Sequence, residues 1–338
     1  MRERPDPPEL VIIVAVFGRG SMVFGEGMKR MPDPKIQRVH FEVMVIDAPR
    51  DFLRSIGLPG GDPKDAPTSP KRFADGKAYK IEIPSTEGPR ALRAVIDEAH
   101  ARNFRVDRIS QGSGIMLLTD SEIKEMVDLG KQESMEVNLF VGPRATFDIG
   151  AQAYSAAGKT LGLSLRGADQ LAFGLMDIER AVSLGVRSVL VSDIGQLMVI
   201  GKMRAAGHLP ADLIVKTSVM MAPCNPASAR VLEDLGATTI NIPSDLTIPQ
   251  ISGIRQAISA PIDFYIEAPD NIGGFLRYYE IPEIVRVAAP VYLKFGLRNS
   301  PDIYPCGTHL ENTAVALSKE RVRRAHIALE LMARYEAL

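Results

Sequence analysis

From residue 76 onward, short runs of apolar and β-branched residues alternate with amphipathic helical patterns. The first run is AYKIEIPS (78–85), and the last is VYLKFGLR (291–298), which precedes the helical pattern SKERVRRAHIALELMARY. Eight such strand–helix units follow one another over about 260 residues, the usual size of a (β/α)8 TIM barrel. We therefore predict an α/β fold of this class. A doubly wound open sheet is the alternative, and the eight consecutive units favour closure.

The ends of the predicted helices carry recognisable signals. Thr119 precedes a helical pattern and Glu122 follows three residues later, which predicts a capping box. Gly185 and Gly236 each follow a leucine at the end of a helical pattern, just before the next strand. Glycine at that position is typical of a helix that ends in a left-handed residue.

Residues 1–75 do not show the alternation of strand and helix patterns that begins at residue 76. LVIIVAVF and RVHFEVMVI resemble two strands, and 58–72 is a loop rich in proline and glycine. We predict an N-terminal β-hairpin extension over 1–75 and a barrel over 76–338. The hairpin would cover one end of the barrel or pair between subunits. At eight residues, LVIIVAVF is too short to span a bilayer.

Polar residues alternate with apolar ones inside several predicted strands. Both faces of a strand in a parallel barrel are buried, one against the helices and one in the interior. In VYLKFGLR the apolar set faces the helices, so Lys294 faces inward, and the same alternation places Glu82, Lys216 and Glu267 inside. An unpaired charge in the barrel interior would lower the stability of the fold, because it loses its hydration without gaining a partner. We therefore predict an ion network in which Glu267, Lys294 and Glu82 are continuous.

Active sites of such barrels lie at the carboxyl ends of the strands. We assign Glu82 or Glu267 as general base and Lys294 as the group that stabilises developing negative charge. The arginines at or beyond strand ends would clamp a substrate carboxylate. The predicted substrate-binding residues are Arg298, Arg144, Arg166, Lys216, Gln111 and Asn241.

Cofactor signals are weak in this chain. The five histidines show no HxH or HExxH spacing, and the two cysteines cannot supply the four ligands of an iron–sulfur cluster. A divalent metal ion on the oxygens of Glu82, Asp193 and Glu267 stays open, with Asp193 as the candidate metal ligand. A Schiff-base lysine also stays open, although carboxylate neighbours would keep Lys216 and Lys294 protonated.

Bulk composition narrows the function classes. The chain has 338 residues, 46% hydrophobic and 24% charged, and a net charge of −1. This balance predicts neither nucleic-acid nor membrane association. We expect a cytoplasmic protein whose partner is a small anionic substrate, and homo-oligomer formation stays open because the N-terminal hairpin needs a covering surface.

Two stretches resemble peptidase family U32. DIERAVSLGVRSVLVSDIGQL (177–197) has a strand that ends in Ser-Asp before a helix, and NPASARVLEDLGATTINIPSDLTIPQI (225–251) has an Asn-led helix and a Leu-Gly cap. The resemblance implies a barrel over roughly 76–300, with Asp193 and Asn225 near its mouth. The family's His-Gly is replaced here by Glu267-Ala268, and its cysteine cluster is missing.

The leading hypothesis is a TIM-barrel hydrolase, similar to the U32 peptidases, that acts on a small carboxylate-bearing substrate with an amide-type bond. A carbon–carbon lyase or isomerase, through an enolate or a Schiff base, would use the same groups. A non-catalytic scaffold subunit is the third reading, and the missing cysteines support it. Against it stand the inward charges, which a scaffold would tend to replace with apolar packing.

Overall fold

All eight predicted strands form, each shorter than or equal to its sequence pattern. The computed structural model describes residues 47–142 and 164–336. The strands are β1 (Tyr79–Pro84), β2 (Arg108–Ser110), β3 (Glu136–Phe140), β4 (Ser188–Val191), β5 (Ile214–Thr217), β6 (Thr239–Asn241), β7 (Ile262–Glu267) and β8 (Val291–Phe295).

The first and last strands pair with each other, so the sheet is a closed barrel in the order β1 to β8. Tyr79 stands opposite Val291 and Glu82 opposite Lys294, in parallel register. On its other edge, β1 pairs with β2. This closure confirms the predicted (β/α)8 TIM barrel and excludes the open sheet.

Helices follow the strands as the sequence predicts, and their ends obey the predicted capping rules. Thr119 and Glu122 form the capping box, and Gly185 and Gly236 adopt φ of +100° and +107°. Glycine reaches this left-handed region without the steric cost that a Cβ imposes. The helices are α1 (Asp47–Ser55), α2 (Pro89–Ala101), α3 (Asp120–Gln132), α4 (Gly167–Ser183), α5 (Ile194–Ala205), α6 (Pro226–Asp234), α7 (Ile248–Ala257), α8 (Ile281–Ala288) and α9 (Glu311–Glu336).

Two helix starts differ from the sequence pattern. The apolar spacing of GGFLRYYEIPEIVRVA (273–288) is typical of a helix over the whole stretch, but α8 begins only at Ile281. Gly273 and Gly274 have φ of +105° and +65°, which is incompatible with a right-handed helix. In contrast, α9 begins at Glu311, seven residues before the predicted pattern.

The alternation along the strands separates two kinds of buried surface. Apolar side chains of one parity, such as Ile81, Ile83 and Leu293, are at most 3% exposed and belong to the apolar core. The other parity places polar side chains in the barrel interior. No described helix is long and apolar enough to cross a lipid bilayer.

The segment before β1 packs against the amino-terminal end of the barrel. Ser69 N donates to Arg286 O at 2.8 Å, and Lys71 Nζ donates to Ile258 O at 2.5 Å. Further along, the Phe73 ring lies 4.9 Å from the Tyr292 ring, near the start of β8. The predicted hairpin strands LVIIVAVF and RVHFEVMVI lie outside the described residues, so the hairpin remains a prediction.

Candidate active site

The lower layer of the barrel interior is an ion network around Arg108. This arginine is fully buried, and its Nη1 donates to Asp263 Oδ1 at 2.8 Å while its Nε lies 2.8 Å from Glu136 Oε1. Its guanidinium also stacks on Tyr292, with Cζ 3.5 Å from the ring centroid. Thr239 Oγ1 donates to the second oxygen of Asp263 at 2.6 Å. The layer therefore holds one guanidinium between two carboxylates, and Asp263 also lies 4.0 Å from Lys216 of the layer above it.

The upper layer is centred on the carboxylate of Glu82. Its Oε1 accepts hydrogen bonds from Lys216 Nζ and, at 2.7 Å, from Ser110 Oγ. Lys294 Nζ lies 3.7 Å from the same oxygen, and Arg108 Nη1 lies 3.3 Å from Oε2. All five side chains are 4% exposed or less. The predicted Glu82–Lys294 contact is therefore present, and Lys216 joins it.

A serine and a lysine meet within this layer. Lys216 Nζ donates to Ser110 Oγ at 3.2 Å, and Asn138 Oδ1 accepts from the same hydroxyl at 3.3 Å. Lys216 comes from β5 and Ser110 from β2, so the contact crosses the interior. A hydroxyl in hydrogen-bond reach of a lysine is the arrangement of a nucleophile beside its base.

The carboxyl group of Glu82 remains ionised. Burial alone would raise its pKa, but the charges of Lys216, Lys294 and Arg108 outweigh that effect and hold the pKa well below its usual range. A carboxylate that binds protons this weakly is a poor general base near neutral pH. Its electrostatic role is to hold the two lysines.

Within this ion network, Lys216 is the lysine whose pKa is shifted toward neutral pH. Burial lowers its pKa from 10.5 to about 8, the attraction of Asp263 and Glu82 opposes the shift, and the repulsion of Lys294 and Arg108 adds to it. The sequence predicts that carboxylate neighbours keep this lysine protonated, and a pKa of about 8 agrees with that at neutral pH. Desolvation still brings its deprotonation within reach of mildly basic pH.

At the carboxyl end of the barrel, Lys294 has partners beyond Glu82. Its Nζ lies 4.0 Å from the centroid of the Tyr265 ring. With its amide oriented to suit its neighbours, Asn241 accepts from Lys294 Nζ at 2.6 Å and donates to Asp263 O at 3.2 Å. Tyr265 keeps partial exposure, whereas Asp263 below it has none. Tyr265 thus marks the level at which the interior meets solvent.

Glu267 lies apart from this network, so the predicted continuity through Glu267 is wrong. Its Oε2 accepts from Tyr278 OH at 2.6 Å and lies 3.5 Å from Arg324 Nη1, while its Oε1 accepts from Arg298 N at 3.1 Å. A register shift between Tyr265 and Glu267 inserts one extra residue in β7. Such a bulge reverses the facing of the side chains that follow it, and Glu267 stands opposite the outward-facing Phe295.

The other predicted residues are scattered around the strand ends. Arg298 is over half exposed, and its Nε lies 3.2 Å from Asp270 Oδ1. Gln111 is buried and bonds both the N–H and the carbonyl of Gly114, which shapes the loop after β2. Arg166 is exposed at the N-cap of α4, and Arg144 lies outside the described residues.

Asp193 is occupied as the N-cap of α5. Its carboxylate accepts from Gln196 N at 2.8 Å and from Leu165 N at 3.1 Å. Over 47–142 and 164–336, no three His, Cys, Asp or Glu side chains gather as a metal site. Glu82, Asp193 and Glu267, the predicted oxygen ligands, each bind different protein groups, so this set does not fit a divalent ion.

Arg108 is the main interior residue that sequence reasoning missed. It stands two positions before Ser110 in the three-residue strand RIS, so the same alternation that points Ser110 inward also points Arg108 inward. The signal was present, but β2 is too short to show a period. Ser110 ends the same strand, and the sequence pattern alone gives it no role.

Comparison with known proteins gives one family match and remote structural likenesses. A search of curated proteins finds no match to this chain. The U32 peptidase Mk0906 is 20% identical, with 58% of this chain and 72% of that chain covered and a TM-score of 0.38. Thiamine phosphate pyrophosphorylase from Pyrococcus furiosus is 13% identical, with 75% and 97% covered and a TM-score of 0.39. 3-Hexulose-6-phosphate synthase is 14% identical, with 72% and 97% covered and a TM-score of 0.37. Likeness at this level does not indicate a shared reaction.

The family match covers the middle of the barrel. Residues 169–268 match the model of peptidase family U32. The matched residues run from α4 to β7 and include Lys216 and Asp263. The chain has only two cysteines, Cys224 and Cys306, and both are free. The chain is therefore a (β/α)8-barrel protein that is similar to peptidase family U32 over residues 169–268 and lacks a cysteine cluster.

Proposed function

We propose that this protein is an enzyme that hydrolyses an amide-type bond in a small carboxylate-bearing substrate, with Ser110 as nucleophile and Lys216 as its general base. One observation carries the proposal: Lys216 Nζ lies 3.2 Å from Ser110 Oγ, inside a barrel where burial lowers the pKa of that lysine to about 8. The U32 match supports the hydrolase class.

In the first half-reaction, neutral Lys216 accepts the hydroxyl proton while Ser110 Oγ attacks the carbonyl carbon of the substrate. The carbonyl oxygen gains negative charge, and the ammonium of Lys294 stabilises it. Lys216 then returns the proton to the leaving nitrogen as the carbon–nitrogen bond breaks. Water hydrolyses the resulting ester of Ser110, with Lys216 again as base.

Glu82 positions the two lysines in this scheme. Its carboxylate binds Lys216 and lies 3.7 Å from Lys294 Nζ, and it stays ionised. The general-base role that the sequence pattern gave to Glu82 or Glu267 therefore passes to Lys216. Direct contacts between the substrate and the other predicted residues remain proposals. These residues are Lys294, Arg298, Arg166, Arg144, Gln111 and Asn241.

A Schiff-base lyase is the second candidate, because the same lowered pKa would give Lys216 a free amine. The amine would attack a substrate carbonyl and lose water, and the imine nitrogen would accept the electrons of the breaking carbon–carbon bond. Incubation with pyruvate and borohydride tests this route. Reduction would fix a covalent adduct on Lys216 that mass spectrometry locates.

The first test of the hydrolase uses an alkyl fluorophosphonate, which forms a stable adduct with an activated serine. We expect one adduct, on Ser110, and its loss in Ser110→Ala and Lys216→Met. Ser113→Ala is the matched control, because Ser113 lies in the next loop and accepts from Cys306 N at 2.8 Å. It should be labelled like the parent.

Three results separate the candidates. An adduct on Ser110 that requires Lys216 supports the hydrolase. A borohydride adduct on Lys216 without a serine adduct favours the lyase. If neither forms, and Lys216→Met is as stable as the parent or more so, the scaffold reading leads, since apolar replacement of buried ions is often stabilising.

A further inference from the structure

Arg321 is a buried cation that the reaction scheme does not use. It lies on α9 with 4% of its surface exposed, and its Nη1 donates to Ser85 O at 3.2 Å, just beyond the end of β1. Its Nε is buried without a hydrogen-bond partner among the described residues. A guanidinium has five N–H donors, so this one retains unused capacity.

Within the described part of the chain, Arg321 forms no ion pair with a carboxylate. Glu87 is the nearby acid, but its two oxygens accept from Gly112 N at 2.6 Å and Ser113 N at 3.1 Å. The neighbouring arginines on α9 differ, because Arg323 and Arg324 both bind Glu320. Arg321 is thus the member of this arginine group that is turned into the protein.

Tyr304 and Tyr265 lie near the guanidinium at the carboxyl end of the barrel. Burial lowers the pKa of Arg321, and the proximity of Tyr304, Glu87 and Tyr265 opposes that shift. Tyr304 OH bonds Ser85 Oγ, and its ring covers Gly112, where an added Cβ would lie 2.4 Å from the ring. The Tyr265 hydroxyl makes no hydrogen bond with a described residue.

The same position is close to the proposed reaction centre. Tyr265 packs its ring against Lys294, whose Nζ is 3.7 Å from Glu82. In addition, β1, which leads into Ser85, pairs with β8, which carries Lys294. Burial raises the pKa values of Tyr265 and Tyr304 above the ordinary range, so both hydroxyls remain protonated donors. Arg321 therefore stands beside donors at the level where the interior meets solvent.

We propose that Arg321, with the hydroxyl of Tyr265, binds the carboxylate of the substrate above the Ser110–Lys216 pair. This inference rests on the proposed function and names its carboxylate-binding residue. The interior cations Arg108, Lys216 and Lys294 lie within ion-pair distance of Glu82, Asp263 or Glu136, whereas Arg321 makes no such pair within the described residues and Glu87 is the one acid near it. A singly charged, planar carboxylate neutralises the charge of Arg321 and fits the guanidinium fork.

The test measures binding rather than turnover, so it does not depend on the proposed chemistry. The probe is N-acetylglycine, which joins a carboxylate to an amide bond, and its neutral counterpart is N-acetylglycinamide. Inorganic phosphate is the third probe. Calorimetry and thermal shift are recorded for the parent, Arg321→Gln, Arg321→Lys and the matched control Arg323→Gln, whose parent side chain is half exposed on the same helix.

We expect N-acetylglycine to bind the parent and Arg323→Gln equally, and to bind Arg321→Gln at least about tenfold more weakly. Arg321→Lys keeps the charge but loses the fork, so it should be intermediate. It also keeps a donor for Ser85 O if the glutamine variant fails to fold. Tyr265→Phe should weaken binding severalfold without a change in volume.

Several results would overturn the subsite. These are equal binding by the parent and both Arg321 variants, equal binding of the acid and its neutral amide, absence of any N-acetylglycine binding by the parent, or tighter binding of phosphate. None of them affects labelling of Ser110, which tests the proposed function separately. Conversely, carboxylate binding that requires Arg321 would stand even if Ser110 proved unreactive.

Discussion

Lys216 Nζ and Ser110 Oγ lie 3.2 Å apart although 106 positions of sequence separate the two residues. Their strands, β5 and β2, do not pair with each other, and Glu82 from β1 bonds both side chains. The contact therefore exists only because the sheet closes and brings three strands to one interior point.

The rate of Ser110 labelling should rise with pH and level off above a midpoint near the Lys216 pKa of about 8. The proton must leave Lys216 before its nitrogen can accept one from the serine, so the basic form is the active one. Fluorophosphonate labelling between pH 6 and 10 measures this, with Ser113→Ala as the control. A rate that falls or stays constant as pH rises would contradict the base role.

Stability should also rise with pH in a window set by Lys216. Its folded pKa is lowered from 10.5 to about 8, so between these values the unfolded chain holds a proton that the folded protein has released. The free energy of unfolding therefore increases with pH across this window. Urea titrations of the parent and Lys216→Met at several pH values isolate the effect, because the difference between them should change only within the window.

Glu82→Gln should destabilise the protein by about 3–5 kcal/mol, since it removes a buried carboxylate and leaves its cations unpaired. The substitution should also lower the pH midpoint of Ser110 labelling below that of the parent, because Lys216 loses an attraction that raises its pKa. The matched control is Glu125→Gln, which breaks an exposed pair with Arg93 worth at most about 1 kcal/mol. Equal stability of the two variants would show that the interior network is not needed for folding.

Asp193 should behave as a helix cap and not as a metal ligand. Asp193→Ala removes the acceptor for Gln196 N and should cost about 1 kcal/mol, whereas Asp193→Asn should cost little. Thermal unfolding with and without magnesium or a chelator checks this. A metal-dependent rise in melting temperature that both variants abolish would restore the metal assignment.

Arg298→Ala should leave N-acetylglycine binding within about twofold of the parent. Its side chain is over half exposed and already paired with Asp270, and such pairs contribute little. Calorimetry beside Arg321→Gln compares the two arginines directly. A loss with Arg298→Ala that equals or exceeds the loss with Arg321→Gln would return the carboxylate clamp to the position that the sequence pattern indicated.

The strands and the interior facing of most polar residues could be predicted from the sequence because they depend on local periodicity. Glu82, Lys216 and Lys294 lie where alternation placed them. The same rule failed at Glu267, since a bulge after Tyr265 shifts the register by one residue, and no signal in IDFYIE announces it. The alternation of side chains predicts which residues face inward only where the hydrogen-bond register between neighbouring strands is regular.

Arg321 could not be found in this way. In the helical pattern SKERVRRAHIALELMARY it stands near two other arginines, and the pattern predicts which face is apolar but not which long side chain folds back over a strand end. Its placement depends on the loop after β1 and on Tyr304, which come from distant parts of the chain. The lowered pKa of Lys216 is equally a tertiary property, because the depth of burial sets it.

The segment before β1 also determines how charge can move. Phe73 packs on Tyr292, which in turn stacks on Arg108, so aromatic and guanidinium planes fill the amino-terminal end of the barrel interior. The open side of the interior is then the carboxyl end, near Tyr265, where a substrate would arrive. An occupied mouth would thereby isolate Lys216 from bulk solvent, so a proton that it takes from Ser110 would be kept for the leaving nitrogen.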